Sequence, residues 1–149
     1  MLTPELIQET LNEVLEKFLK PKFIDLGMNA SGDWLNSLQV RVIDKHKAEI
    51  LGLDYTRYLV NGRKPGKPPP IAPIIRWVGY KFGYSGKEAI STAYAVRTKI
   101  AQSGTSYFPD GTELLEVLQS KETIDFINHK IKQKLLEKVK LEIIRIIEN

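Results

Sequence analysis

The sequence predicts an α+β fold: a small antiparallel hairpin packed against several helices, with a long C-terminal helix. Three observations carry this. Apolar residues recur every three or four positions at both ends of the chain. The pattern alternates over 38–43, where Leu38, Val40 and Val42 stand against Gln39, Arg41 and Ile43. The polar stretch DKHK then separates this run from Ala48, Ile50 and Leu51, which begin a returning strand. The chain has 149 residues, 42% apolar and 27% charged, which suits one globular domain and excludes a disordered or fibrous class.

The first helix is predicted over 4–19. Thr3 is its cap, Pro4 occupies a tolerated first-turn position, and Glu5 complements the dipole. Leu6, Leu11, Val14, Leu15 and Phe18 form its apolar face. Lys20 precedes Pro21, which disfavours helical backbone, so the helix is expected to stop near Leu19. Gly27 and Gly32 punctuate a loop, and the hairpin follows over about 37–53. His46 is expected in its solvated turn.

Tyr55, Tyr58 and Leu59 are spaced for one or two helical turns, ended by Asn61 and Gly62. Next comes GRKPGKPPP, residues 62–70, with four prolines and two glycines in nine positions. Prolines 65, 68, 69 and 70 lack amide donors and fix φ, so this segment is expected to be extended and unable to enter a sheet interior. IAPIIRWVGYKFG and SGKEAISTAYAVRTKIAQSG read as two further helices, the second ended by Gly104. SYFPDG is a turn, and TELLEVL fits neither period clearly. The last helix is predicted over about 121–147, capped by Ser120. Its stripe is Ile124, Ile127, Ile131, Leu135, Val139, Ile143 and Ile146 or Ile147. If that stripe outruns the domain's own core, the excess requires cover from another subunit.

Signatures of chemistry are sparse. With no cysteine, disulfides, thiolate nucleophiles and cysteine-ligated zinc are excluded. The two histidines, His46 and His129, lie far apart, and no carboxylate run has ligand spacing. Nucleophile-elbow, phosphate-loop and zinc-protease patterns are missing. The expectation is a protein that is not an enzyme and uses no cofactor, metal or small-molecule substrate, with a carboxylate-based hydrolase such as a nuclease as the alternative. No run of about 18 apolar residues is present and the N-terminus lacks a secretory pattern, so no membrane partner is expected.

The net charge is +4 and the pI about 9.2, a mild basicity compatible with a nucleic-acid neighbour. Tyr55, Tyr58, Trp77, Tyr80, Phe82 and Tyr84 gather in sequence around the proline segment. Two readings fit them: cover for a core where regular structure fails, or anchors for a partner. Arg63, Lys64 and Lys67 likewise read either as a solvated loop or as cationic contacts to phosphates or acidic groups.

The order of segments resembles the neck and tail-completion proteins of tailed bacteriophages. SGDWLNSLQVRV is similar to the family's Gly-x-Leu-x-x-Ser-Ile opening of a strand. DYTRYLVNGRKPGKPPP resembles its Tyr-Ala-x-Tyr-Leu-x-x-Gly segment and Pro-Gly-Lys-x-Pro-Pro loop. IIRWV, AYAVRTKIAQSGT and SYF follow in the expected places. The likeness runs from about residue 27 to 111, with departures at Asp54, Thr56 and Tyr107.

The resemblance implies a virion structural protein, assembled in the host bacterial cytoplasm. Such a protein forms a homo-oligomeric ring at the portal–tail junction, as a head-closure, tail-completion or tail-terminator component. Its implied partners are portal and tail proteins, and DNA in the ejection channel. On that basis Pro65, Pro68, Pro69 and Pro70, with Tyr55, Tyr58 and Trp77, are expected to form a stiff arm docking on an adjoining copy. Arg63, Lys64 and Lys67 are expected to meet DNA or acidic neighbours. The alternative is a small basic nucleic-acid-binding module without sequence preference.

Overall fold

The computed structural model describes residues 2–148, with the side chains of Ile146 and Glu148 outside that description. It is α+β. Helix α1 (Pro4–Val14) runs into a π-helical turn (Leu15–Leu19) and continues as α2 (Lys20–Asp25). A short α3 (Asp33–Ser37) leads to the hairpin, β1 (Gln39–Asp44) and β2 (Lys47–Leu51). Then come α4 (Thr56–Asn61), α5 (Ile71–Phe82), α6 (Gly86–Ser103), a 3₁₀ turn (Glu116–Gln119) and α7 (Lys121–Glu148).

The N-terminal cap is as expected: the Thr3 hydroxyl accepts from the Leu6 amide. The expected stop near Leu19 is not observed. A proline ring collides with the carbonyl four residues back in a regular α-helix. Here the turn before it is one residue wider: the Lys20 amide donates to the Leu15 carbonyl, five residues back. That widening gives Pro21 room, and the helix continues to Asp25. The continuation matters because it delivers Phe23 to the core.

The hairpin pairs Val40 with Ile50 and Val42 with Ala48, and an irregularity at Ile43 separates these from the Asp44–Lys47 pair. The Asp44 carboxylate accepts from the His46 amide and shapes the turn, where His46 is exposed. The Gln8 amide group of α1 donates to the Val40 carbonyl, tying the hairpin to the helix.

Two apolar clusters form. The first holds Leu15, Leu19, Phe23, Met28, Trp34 and Leu114, with Leu59, Val60, Tyr107 and Val117 packed around it. Phe23 stacks on Trp34 with centroids 4.3 Å apart. The second joins α5 to α6 through Ile74, Val78, Ala89 and Ala93. Two small residues on α6 let the helices approach closely. We call the α5–α6 pair, with the segment that leads into it, the second lobe.

Helix α7 begins with its Ser120 cap in place: the Ser120 hydroxyl accepts from the Thr123 amide at 3.3 Å. Its first half packs on α1. Phe126 meets Phe18 edge-on at 5.5 Å, and Lys130 pairs with Glu13 at 2.7 Å. The stripe predicted for this helix is only partly buried. Ile127, Ile131 and Leu135 are half-buried, but Ile124, Val139, Ile143 and Ile147 are exposed, and Ile146 lies outside the described side chains. Thr123 and Phe126 take the places facing the body, because a straight helix turns the four-residue stripe away from a fixed line.

Candidate functional site

The segment at 62–70 is the pivot of the site. Proline removes donors but leaves carbonyls, and Arg63 and Gly66 keep their amides; each group requires a partner where water is excluded. The chain supplies those partners itself. The Arg63 amide donates to the Thr105 hydroxyl at 2.8 Å, and the Thr105 amide returns a bond to the Arg63 carbonyl at 2.9 Å. The Gly66 amide donates to Ala101 at the end of α6, and Arg97 Nε donates to the Pro69 carbonyl at 2.8 Å.

Pro69 is buried, while Lys64, Pro65, Lys67, Pro68 and Pro70 are exposed. The expected free arm is therefore a strap fastened across the C-terminal end of its own α6. Its amide-poor backbone is stiff, and the Arg63 and Gly66 amides and the Arg63 and Pro69 carbonyls find partners in cis.

Two glycines make this fastening possible. Gly62 has φ 74° and ψ 172°, and Gly104 has φ 77° and ψ −175°, a region that side chains exclude. A Cβ on Gly62 would collide with the backbone of Tyr107 and Phe108; one on Gly104 would collide with the Arg63 carbonyl. The 59–63 and 104–112 segments thus touch backbone to backbone. The Thr112 amide and hydroxyl bond the Val60 and Leu59 carbonyls, each at 2.7 Å.

Between the strap, α5 and the 27–34 loop lies a groove of about 830 Å³. Tyr55, Tyr58, Trp77 and Tyr80 line it with Pro69 and Pro70. The sequence placed these aromatics beside the prolines, and the structure brings these four together. Phe82 and Tyr84 lie apart from the groove, in a chain of rings: Phe82 meets Trp77 edge-on and stacks on Tyr84, both at 5.6 Å.

Trp34 closes the floor. Its indole donates to Thr56 at 2.9 Å, which fixes α3 against the start of α4. Gly52 leaves no spare room there, since a Cβ would crowd Thr56, Leu38 and Trp34.

The groove's electrostatics are one-sided. Arg63, Arg76, Lys81 and Lys99 line it, against Asp33 alone. Lys81 reaches across to the Gly27 carbonyl at 2.7 Å. The Arg63 guanidinium lies over the Tyr58 ring at 5.3 Å and donates to the Lys67 carbonyl. Among the described residues none of these four cations forms a salt bridge within the chain. Burial raises the Tyr55 phenol above its usual pKa; Asp33 adds to the effect and Arg76 opposes it.

Of the three cations singled out from the sequence, the groove takes Arg63 only; Lys64 and Lys67 are exposed on the strap. Sequence reasoning missed Arg76, Lys81 and Lys99. A local charge count would have found them. Residues 62–104 carry eight lysines and arginines against Glu88, a net +7 in a chain of +4, which leaves the rest at −3. Nothing in the described residues groups three metal-ligating side chains, and no helix is long and apolar enough to cross a membrane. The arrangement offers an apolar, aromatic floor with a cationic rim. Comparison with family models, curated proteins and solved structures finds no match to this chain.

Proposed function

We propose that this chain is a structural protein of a tailed-bacteriophage virion, forming a ring at the portal–tail junction that joins head to tail around the DNA channel. One observation carries the reading: five segments resembling that family occur in its order, and two of them meet in space. YLVNGRKPG and SGTSYF, separated by some forty residues, fasten to each other through Gly62, Gly104 and Thr105. A chance succession of weak motifs has no reason to converge on one pair of side-chain-free backbone contacts.

Ring closure asks each subunit for two different surfaces. The strap's exposed face, with Pro65, Pro68 and Pro70, and the aromatic groove beside it make one rigid surface. Its order is already established by bonds within the chain, so docking costs little conformational freedom. Lys64 and Lys67 stand out from that face toward DNA or acidic neighbours.

Native mass spectrometry of the purified chain tests the proposal. A closed cyclic assembly is expected, and electron microscopy of it should show an open centre wide enough for duplex DNA. A monomer at every concentration up to saturation contradicts it.

The second lobe's +7 charge favours a second reading, a nucleic-acid-binding module without sequence preference. In that case duplex affinity should fall about a hundredfold between 50 and 200 mM salt if the four groove cations each meet a phosphate.

A further inference from the structure

The positive second lobe has a negative counterpart in the same chain. Residues 108–126 carry five carboxylates against Lys121, a net −4. Asp110, Glu116 and Glu122 are exposed, and none of them has a salt bridge within the chain among the described residues. The same segment also exposes bulky apolar side chains: Phe108 is 39% exposed and Leu115 40%. The groove shows the complementary composition, with unpaired cations at its rim and exposed aromatic faces beneath, Trp77 at 38% and Tyr80 at 64%. Each surface leaves charge unpaired and apolar area wet, and each carries what the other lacks.

From this we infer that the 108–126 segment of one copy docks in the α5-side groove of the next, with Phe108 and Leu115 entering among the aromatics. Glu116 and Glu122 then face Arg76 and Lys99. The contact is head-to-tail, because donor and acceptor are different surfaces of one chain, and repetition closes a ring or extends a filament. Opposed potentials of this kind set register and partner choice more than raw affinity. A nucleic acid would satisfy the rim, but it would leave Phe108, Leu115 and the unpaired carboxylates unexplained. The inference rests on the ring reading above and adds to it the surfaces that meet.

Charge reversal tests it. The acceptor variant is Arg76→Glu with Lys99→Glu; the donor variant is Glu116→Lys with Glu122→Lys. All four side chains are exposed, and circular dichroism melts check that each variant folds. Sedimentation velocity then reads the mass of wild type, each variant, and an equimolar mixture of the two. Each variant alone should associate at least about tenfold more weakly than wild type. The mixture should recover the wild-type mass, because reversed charges meet again across alternate contacts.

A wild-type ring that both variants form equally well overturns this contact and leaves the ring reading standing. Loss in both variants without recovery on mixing also overturns it. A monomeric wild type removes the ring reading and the contact together. If the acceptor variant keeps its mass but loses binding to short duplex DNA, the groove serves nucleic acid instead, and the inference fails.

Discussion

Thr10 and Thr123 are both buried, at 1% and 0% exposure, and they differ in one respect that decides their energetics. The Thr123 hydroxyl donates to the Val117 carbonyl at 2.7 Å and meets the Ser120 hydroxyl at 3.0 Å. The Thr10 hydroxyl has no partner. An unpaired buried hydroxyl costs about 1–3 kcal/mol, whereas a made bond contributes about 1 kcal/mol. Thr10→Val should therefore raise stability by about 1 kcal/mol and Thr123→Val should lower it by a similar amount, read from urea midpoints at constant slope. Gly62→Ala and Gly104→Ala should each cost about 3 kcal/mol or more, since strain and a backbone collision add. Thermal melts would check this; a loss below about 1 kcal/mol would mean the 62–104 fastening gives way easily. At this level the sequence was informative where a residue type has one dominant use. Thr3, Ser120, Gly62 and Gly104 were readable as caps or breaks, because few other residues serve there. Trp34 and Leu114 were not readable as core centres, since burial is set by what returns from far along the chain.

The helix through Pro21 shows how a local rule yields to packing. Proline disfavours the helix before it, and a π turn evades that restriction because Phe23 and Leu19 bury only if the chain continues. The short α3 was missed for a similar reason: its five residues have too little periodicity to register, and the Trp34–Thr56 bond holds it. In α7 the repeat was legible throughout, but its burial was not. Among the described side chains the half facing α1 packs on the body, and beyond it Leu141 and Ile147 are 68% and 76% exposed. Removal of residues 137–149 should leave the melting temperature within about 2 °C of wild type, because the lost turns bury little apolar area. A fall of many degrees would show that the distal helix supports the fold.

The α1–α7 contact carries a pH signature. The hydrogen bond from Lys130, aided by its charge, lowers the Glu13 pKa from an ordinary 4.5, and the same bond raises that of Lys130 above 10.5. The lowered carboxylate contributes stability above pH 4.5, which is lost as pH falls through its folded value. The raised ammonium contributes below pH 10.5, and this is lost as pH rises through its own folded value. Lys130→Met should thus melt below wild type by the widest margin at intermediate pH. The gap should narrow at both extremes; a gap independent of pH would assign the loss to packing alone.

Across the whole molecule, the dominant feature is the separation of charge between a +7 stretch and a remainder of −3. Composition alone hides it, since the total is a mild +4. The fold exposes it by placing α5, α6 and the strap in one lobe. The α+β class, the hairpin and the long last helix were legible because each has its own period. The groove was legible in its aromatics and prolines but not in Arg76, Lys81 and Lys99. Those cations converge only when α5 and α6 pair over Ile74, Val78, Ala89 and Ala93. The expected arm is a strap because the Arg63 and Gly66 amides and the Arg63 and Pro69 carbonyls find partners within the chain. What is left for a neighbour is a preformed surface on the body of the chain rather than a stiff projecting arm. The central claim is that this surface closes copies of the chain into a ring, and the mass of the assembly in solution tests it most directly. Native mass spectrometry at low micromolar concentration should return a single closed multiple of the 17.0 kDa chain. A lone 17.0 kDa species that persists as concentration rises would contradict the account.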